Sequence, residues 1–382
     1  MKYNIDTFAM DDFNDVPPYY LIKNTHPLKK TSVPIGCALF LDQEPIYPPL
    51  TSWASKTSDQ LMYDKDSSIW EKRLPMHHLD QCIFISEKGK EADWLREKLK
   101  VLHLNVPVVY YFYHAYASLD NYRNYWKENI TVPTEHDKLF ICYQNVINSY
   151  RWHRIQFQLR LRQSKLIDQG LVSYNPSDRL EEILTQALNR HQNKEIFNHT
   201  HENIDLLRDS YKIDGEEPTG SMSTYIDIQN CQRAFVHVVS ETSFYNGKQH
   251  LTEKIFKPIV AMQPFLLLGA YGNLAYLRDY GFKTFGDFWD EGYDNITDDV
   301  QRIDEVFKIL QNLSELSYQE QCALRQEMKP IIEHNANVFY YKLKNTVVNE
   351  LTTNLKIELK KSNKWKFVKD EDIAHLNTVL KY

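Results

Sequence analysis

The densest run of side chains with chemistry to offer lies between Phe235 and Phe285. An apolar stretch, Phe235-Val-His-Val-Val-Ser240, delivers Glu241 at its carboxyl end, and after a polar gap Thr252-Glu253-Lys254 opens a helical pattern. Thr252 is a good N-cap, and Glu253 in the first turn complements the helix dipole. A helix N-terminus offers free backbone N–H groups and partial positive charge, which suits a phosphate. A carboxylate at the same place can accept hydrogen bonds from two ribose hydroxyls, and a lysine can neutralise a diphosphate oxygen. Together these are the requirements for holding a nucleotide. Taken alone, Thr-Glu-Lys reads as a capping motif with a solvated lysine. Its company favours the nucleotide: Glu241 at a strand end upstream, and a second apolar run, Pro264-Phe-Leu-Leu-Leu268, closing on Gly269. Pro258 falls inside the helical pattern and predicts either a kink or a later helix start.

The elements that must position these residues follow an alternating pattern. Continuous apolar runs at 35–41, 82–85, 106–113, 139–143, 171–174, 234–239 and 265–268 read as buried strands. Helical stretches are predicted at 91–101, from 113 to about 126, 151–168, 178–189, 252–262, 271–280, 299–313 and 318–353. Such alternation predicts parallel sheets covered by helices, with ligands at the carboxyl ends of strands. Residues 190–222 carry His191, His199 and His201 among few apolar anchors and read as a long connection or a helical insert. The boundaries expected are an N-terminal domain over 1–133, a C-terminal domain over 134–345 and a helical or tail element over 346–382, the break falling near Thr131-Val-Pro-Thr134.

Composition narrows the classes. At 382 residues the chain has room for two domains of about 150 residues and an appendage. Its net charge of −6 gives no global basic field of the kind that drives non-specific nucleic-acid binding. No stretch approaches the roughly 20 apolar residues of a membrane span. The opening Met1-Lys-Tyr-Asn-Ile-Asp6 has no apolar signal core, so a cytoplasmic location is expected. Five cysteines, at 37, 82, 142, 231 and 322, include no Cys-x-x-Cys and read as reduced thiols rather than a zinc or disulfide framework. Glycine patterns for a dinucleotide, a P-loop or a nucleophile elbow are missing from the sequence, which weighs against dehydrogenases, P-loop NTPases and α/β-hydrolases. His199-Thr-His201 with Glu202 has a metal-like composition without a frame to fix it, and Asp370-Glu-Asp372 reads as part of a charged tail.

The stretch Glu241-Thr-Ser-Phe, then Leu251-Thr-Glu-Lys-Ile-Phe-Lys-Pro-Ile259 and Gln263-Pro-Phe265, resembles the donor-binding signature of the fucosyltransferase-like glycosyltransferases. Those enzymes show Glu-Asn-Ser, a short polar gap, Thr-Glu-Lys, and a helix leading to a Val-Pro strand. The continuation through Leu277-Arg278, Gly281-Phe-Lys-Thr-Phe285, Trp289-Asp-Glu and Tyr293-Asp294 is similar to phage or viral members of the group. The resemblance covers about residues 138–295; Thr242 stands where the family has Asn, and Gln263-Pro-Phe265 replaces Val-Pro-Val.

That resemblance implies a GT-B-like α/β fold, two Rossmann-like domains with parallel sheets facing a cleft. It implies a nucleoside-diphosphate sugar as donor substrate, GDP-fucose being the one the family's name suggests, with no metal and no further cofactor. The family also carries Ser-Asn after the first strand of the donor domain, and an Arg near the next helix start that contacts the donor phosphates. The corresponding stretch runs from Phe140 through Asn145 to Arg151 and Arg154. Arg151 and Arg154 are three apart on one helix face, and two guanidinium forks suit a pyrophosphate. The alternative is an ordinary solvated basic face, continued by Arg160, Arg162 and Lys165. For transfer with inversion a carboxylate must take the acceptor's proton. Glu44, then Asp42, in the loop stiffened by Pro45 after the first clear strand, are the leading candidates, with Glu87 and His114 behind them. In this reading Glu253 holds the ribose, Lys254, Arg151 and Arg154 the diphosphate, and Glu241 a sugar hydroxyl or the ribose. The acceptor is a glycan, a lipid-linked saccharide or a protein. Two alternatives stay open: a phage-type transferase acting on modified DNA bases, and a non-catalytic nucleotide-sugar-binding protein of the same fold.

Overall fold

A computed structural model describes residues 6–7, 38–41, 82–86, 108–110, 112–145, 147–176, 179–191, 193–213, 225–244 and 249–361. The chain divides into two compact units, residues 1–120 with 343–382, and residues 121–342. The division therefore runs at 120/121 and 342/343, against the expected 133/134 and 345/346. Segment 131–135 belongs with the second unit because Arg325 donates to the carbonyls of Pro133 (3.4 Å) and Glu135 (3.1 Å).

In the first unit four short strands, β1 (Asp6–Thr7), β2 (Ala38–Leu41), β3 (Cys82–Ser86) and β4 (Val108–Tyr110), form a parallel sheet in the order β1-β2-β3-β4. Its register pairs Leu39 with Ile83 and Ile85 with Val109. Helix α1 (Tyr113–Tyr122) starts here and places His114 in its first turn, where a strand end was expected. The helix at residues Leu343–Lys361, numbered α10 in chain order, packs on this sheet rather than standing apart. Glu350 accepts from the backbone of Phe112 (3.2 Å), and Asn354 donates to the carbonyl of Tyr110 (2.9 Å).

The second unit is built on β5 (Lys138–Gln144), β6 (Gly170–Tyr174), β7 (Ala234–Ser240) and β8 (Phe265–Leu268), all parallel, in the order β6-β5-β7-β8. Every residue of β7 and β8 is buried, so these strands read as unbroken apolar runs instead of alternating ones. Around the sheet lie α2 (Trp152–Gln163), α3 (Leu180–His191), α4 (Lys194–Glu202), α5 (Ile228–Gln232), α6 (Glu253–Val260), α7 (Asn273–Asp279), α8 (Asp299–Glu315) and α9 (Tyr318–Asn337). The long helical stretch predicted over 318–353 is interrupted by a π-helical turn at Val338–Lys342. Pro258 neither delays nor breaks α6, which starts at Glu253 and ends two residues past the proline. Its missing N–H removes one bond, while Ile255, Phe256, Ile259 and Val260 bury the helix against the sheet. Gly272, at the N-cap of α7, takes φ +79°, a left-handed conformation that glycine adopts without strain.

The strand order places a topological switch point between β5 and β7. From β5 the chain crosses through α2 outward to β6; from β7 it crosses through α6 outward to β8 on the other side. Right-handed crossovers put α2 and α6 on opposite faces, both starting at the carboxyl ends of adjacent strands. Among the described residues no helix is long and apolar enough to cross a membrane.

Candidate nucleotide site at the sheet switch point

Glu241 is the pivot. Its backbone N–H extends the β7–β8 pairing by donating to Leu268 (3.0 Å), and its side chain is fully buried. Both carboxylate oxygens are engaged by the chain itself: one accepts from the backbone of Thr252 (3.1 Å), the other from the Thr252 hydroxyl (2.6 Å) and the backbone of Thr242 (3.3 Å). The carbonyl of the same residue takes the other helix. His153 Nε2 donates to it at 3.0 Å, and Arg154 Nη2 reaches the carbonyls of Ser240 (3.2 Å) and Glu241 (3.4 Å). One residue thus pins the N-termini of both α2 and α6 to the end of β7.

Thr252 is the N-cap of α6, with an extended backbone and its hydroxyl oxygen accepting from the N–H of Lys254 (3.4 Å). Lys254 does not run out into solvent. Its ammonium folds back over the helix start, donating to Glu253 (2.8 Å), Thr252 Oγ1 (3.1 Å) and Thr242 Oγ1 (3.2 Å). Glu253 and Lys254 keep 16% and 27% of their side chains exposed, so both remain reachable by a ligand. Asn273 closes the approach to Thr252 by accepting from the N–H of His250 (3.2 Å) and donating to its carbonyl.

Helix α2 begins at a short 3-10 turn, Ser149–Arg151, in which Asn148 accepts from the backbone of Arg151 (3.0 Å). No side chain caps α2 at Arg151, and the helix end adds its partial positive charge to that of Arg151 and Arg154. Arg151 is half-buried, and Asn145 is exposed just past β5. Arg154 is buried; desolvation first, and then the charge of Arg151, bring its pKa down to about 10, which leaves it charged at neutral pH. His153 is held neutral, its pKa driven well below the usual range by burial and then by Arg154. Its bond to a carbonyl, which only accepts, fixes the proton on Nε2.

The charge balance favours an anion. Arg151, Arg154 and Lys254 stand against the carboxylates of Glu241 and Glu253. That leaves one formal positive charge, and the two helix ends add about half a charge each. Nearer the carboxyl end of α2 the basic residues are absorbed by the fold. Arg160 pairs with Asp304 (2.6 Å), and Arg162 donates to the carbonyls of Leu206 (2.5 Å) and Asp209 (2.8 Å) between the rings of Tyr174 and Tyr211. Arg151 and Arg154 are therefore set apart from the other basic residues of this helix.

The structure brings together Glu241, Thr252, Glu253 and Lys254, and sets Arg154 against the backbone of Glu241. Glu44, Asp42 and Glu87 lie outside the described residues, as do Asp370 and Asp372. His199 and His201 fall in α4, and among the described residues no group of three or more His, Cys, Asp or Glu could hold a metal. Sequence reasoning missed the support behind the loop. The Phe244 ring is sandwiched between His153, stacked at 4.6 Å and 8°, and the guanidinium of Arg302 at 4.2 Å. Arg302, itself 1% exposed, donates to the carbonyls of Phe244 (2.8 Å), Gly269 (3.0 Å) and Ile296 (2.7 Å). The only local signal was Asp299 three residues before Arg302; its carboxylate accepts from the guanidinium at 2.5 Å. Tyr122, fully buried, is a second missed neighbour, its pKa raised by burial and then by the charge of Glu253.

No family model matches the sequence, and comparison with curated proteins returns no match. Among solved structures the chain is similar to an α,α-trehalose-phosphate synthase (UDP-forming) from Burkholderia vietnamiensis, at 11% identity and a TM-score of 0.38, over 83% of this chain and 69% of that one.

Proposed function

We propose that the chain is a glycosyltransferase that moves a sugar from a nucleoside-diphosphate donor to an acceptor hydroxyl. The observation that carries this reading is the convergence of two helix N-termini, Lys254 and Arg151 on the carboxyl ends of β5 and β7, at the switch point of a parallel sheet. The Thr252-Glu253-Lys254 signature resembling the fucosyltransferase-like enzymes supports the same reading.

In the reaction, Lys254 and Arg151, with the α2 and α6 N-termini, meet the charge that grows on the leaving diphosphate. Glu253, the more exposed of the two carboxylates, accepts from the ribose hydroxyls. Glu241 holds Thr252 and the two helices in place, and Arg154 fixes the end of β7 while adding its charge to the field. Glu44 or Asp42 takes the acceptor's proton, and the transfer proceeds with inversion and without a metal. GDP-fucose is the donor first in line; a glycan, lipid-linked or protein acceptor is preferred over modified DNA.

The test is a thermal-shift panel of GDP, UDP, ADP, CDP and dTDP, with and without Mg²⁺. A ligand at 100 times its Kd adds about 2.7 kcal/mol, a readily measured rise in melting temperature. A metal-independent rise with one diphosphate supports the reading and names the donor's base. No rise with any of them overturns it. Binding without sugar transfer or donor hydrolysis favours the non-catalytic binding protein.

A further inference from the structure

At the other end of the second unit's sheet, before β5 and β7 begin, a second cluster has nothing to do with the diphosphate. Cys322 lies in the second turn of α9, half-buried, with its Sγ 4.0 Å from His136 Nδ1. His136 sits just ahead of β5, between the rings of Phe235 (5.4 Å) and Tyr318 (4.9 Å). Its other nitrogen, Nε2, lies 2.7 Å from Gln321 Oε1. The orientation of that amide is fixed by its NH₂, which donates to the carbonyls of Leu313 (3.0 Å) and Leu316 (3.2 Å). The imidazole must therefore carry its proton on Nε2 and present Nδ1 to the thiol as an acceptor.

We propose that Cys322 is a base-assisted reactive thiol, a modification site for small-molecule disulfides, with His136 as the proton acceptor and Gln321 as the group that orients it. The thiol proton passes to His136 Nδ1 as the sulfur attacks one sulfur of the disulfide. A new S–S bond forms to Cys322, the original S–S bond breaks, and the departing thiolate takes the proton back from the imidazolium.

A buried cation stands beside the pair. Arg325, three residues on along the same helix face, is 1% exposed and interacts favourably with a charged Cys322. Its Nη atoms donate to the carbonyls of Pro133, Glu135 and Ala234, while its buried Nε has no hydrogen-bond partner among the described residues. Burial lowers the pKa of His136, keeping the ring neutral and able to accept at neutral pH. Among the described residues the other ionisable groups facing the pair are Tyr318, which also hydrogen-bonds the Cys322 thiol, Asp137 and Glu135; Asp137 is tied to Arg233 at 2.6 Å. Cys142 and Cys231 contrast with Cys322. Both are buried, and burial pushes each thiol up to about 12.

The experiment exposes the full chain to glutathione disulfide near pH 7 and follows each cysteine by peptide mass mapping. Mixed disulfide is expected first at Cys322, with Cys142 and Cys231 unmodified. His136→Phe keeps a ring between Phe235 and Tyr318 but removes the acceptor. It should slow Cys322 about tenfold near pH 7, the two rates drawing together at high pH, where hydroxide replaces the missing base. Gln321→Leu, which frees the tautomer, should slow it in the same sense and serves if His136→Phe fails to fold. A Cys322 rate no higher than in the urea-unfolded chain, or equal rates for wild type and the folded variants near pH 7, would overturn the proposal.

Discussion

Glu241→Gln separates a clamp from a ligand contact. The wild-type carboxylate accepts three hydrogen bonds, from Thr252 N, Thr252 Oγ1 and Thr242 N, at a fully buried position. A glutamine supplies one acceptor oxygen and one NH₂. If the oxygen faces Thr252 N, the NH₂ confronts Thr242 N and a hydroxyl that already accepts from Lys254. If the amide turns over, the NH₂ confronts Thr252 N instead. Either way one buried backbone N–H loses its acceptor, at about 1–3 kcal/mol, and the surviving bonds lose their charge assistance. The sum is about 2–4 kcal/mol, or a fall in melting temperature on the order of 5–10 °C for a unit of roughly 200 residues. Circular dichroism melts and urea titrations read the loss; calorimetry with the diphosphate that binds wild type reads the site. A variant melting within about 1 °C of wild type yet unable to bind diphosphate would refute the clamp and return Glu241 to the donor's sugar or ribose.

Other outcomes follow from the same geometry. Lys254→Met should weaken diphosphate binding about 10- to 100-fold by calorimetry, the worth of a charge-assisted bond, without lowering the melting temperature, because it removes a cation from the wrong end of a helix; an unchanged Kd would assign Lys254 to the fold alone. Burial first, and then the charge of Lys257, hold His237 down to about 3, and His153 is lowered likewise. Below about pH 6.5 the unfolded chain takes up protons that the folded chain refuses, so stability present above that pH is lost as pH falls toward 3, at about 1.4 kcal/mol per pH unit for each group. Urea midpoints measured from neutral to acid pH should show this slope, and His237→Phe should flatten it by one proton; an unchanged slope would mean the ring is charged in the fold. Gly170→Ala would set a Cβ 2.3 Å from the buried Phe140 ring, and should cost about 1–3 kcal/mol in a urea melt. A melt unchanged by that substitution would show that the ring has room to move.

Sequence legibility tracked what kind of contact holds each element. β8 runs over the four residues its apolar run predicts, and β5 and β7 fall within a residue of theirs, because strands buried on both faces must be continuously apolar. Helix α4 falls in the segment read as a connection or a helical insert, and the sequence leaves that choice open because its anchor is polar: Thr200, fully buried, accepts from Gln156 at 2.7 Å, and no hydropathy pattern reports such a pair. In the site, Thr252-Glu253-Lys254 was legible because capping and charge are written in adjacent residues. The clamp on Glu241 was not, since it is made by residues 88 and 11 positions away. The His153–Phe244–Arg302 stack likewise joins two helices and a loop that share no local signal.

The same contrast bears on why the site is built as it is. A cation in the first turn of a helix opposes the macrodipole by about 0.3–1 kcal/mol, and a buried guanidinium needs several partners to hold its charge. Lys254 goes against the first preference, Arg154 brings a second, buried charge into the same small volume, and the two buried or half-buried carboxylates beside them do not cancel the field of three cations and two helix ends. A fold with no ligand to serve could place Ala or Ser at 254 and lose nothing in capping, since Thr252 already fills that role. A local rule broken beside a buried charge, with compensation that stops short of neutrality, is the pattern expected of a site that takes an anion, and it supports the proposed reading. Glu253 screens Lys254 at 2.8 Å, and under the proposed function it would accept from a ribose hydroxyl once a phosphate takes over the lysine.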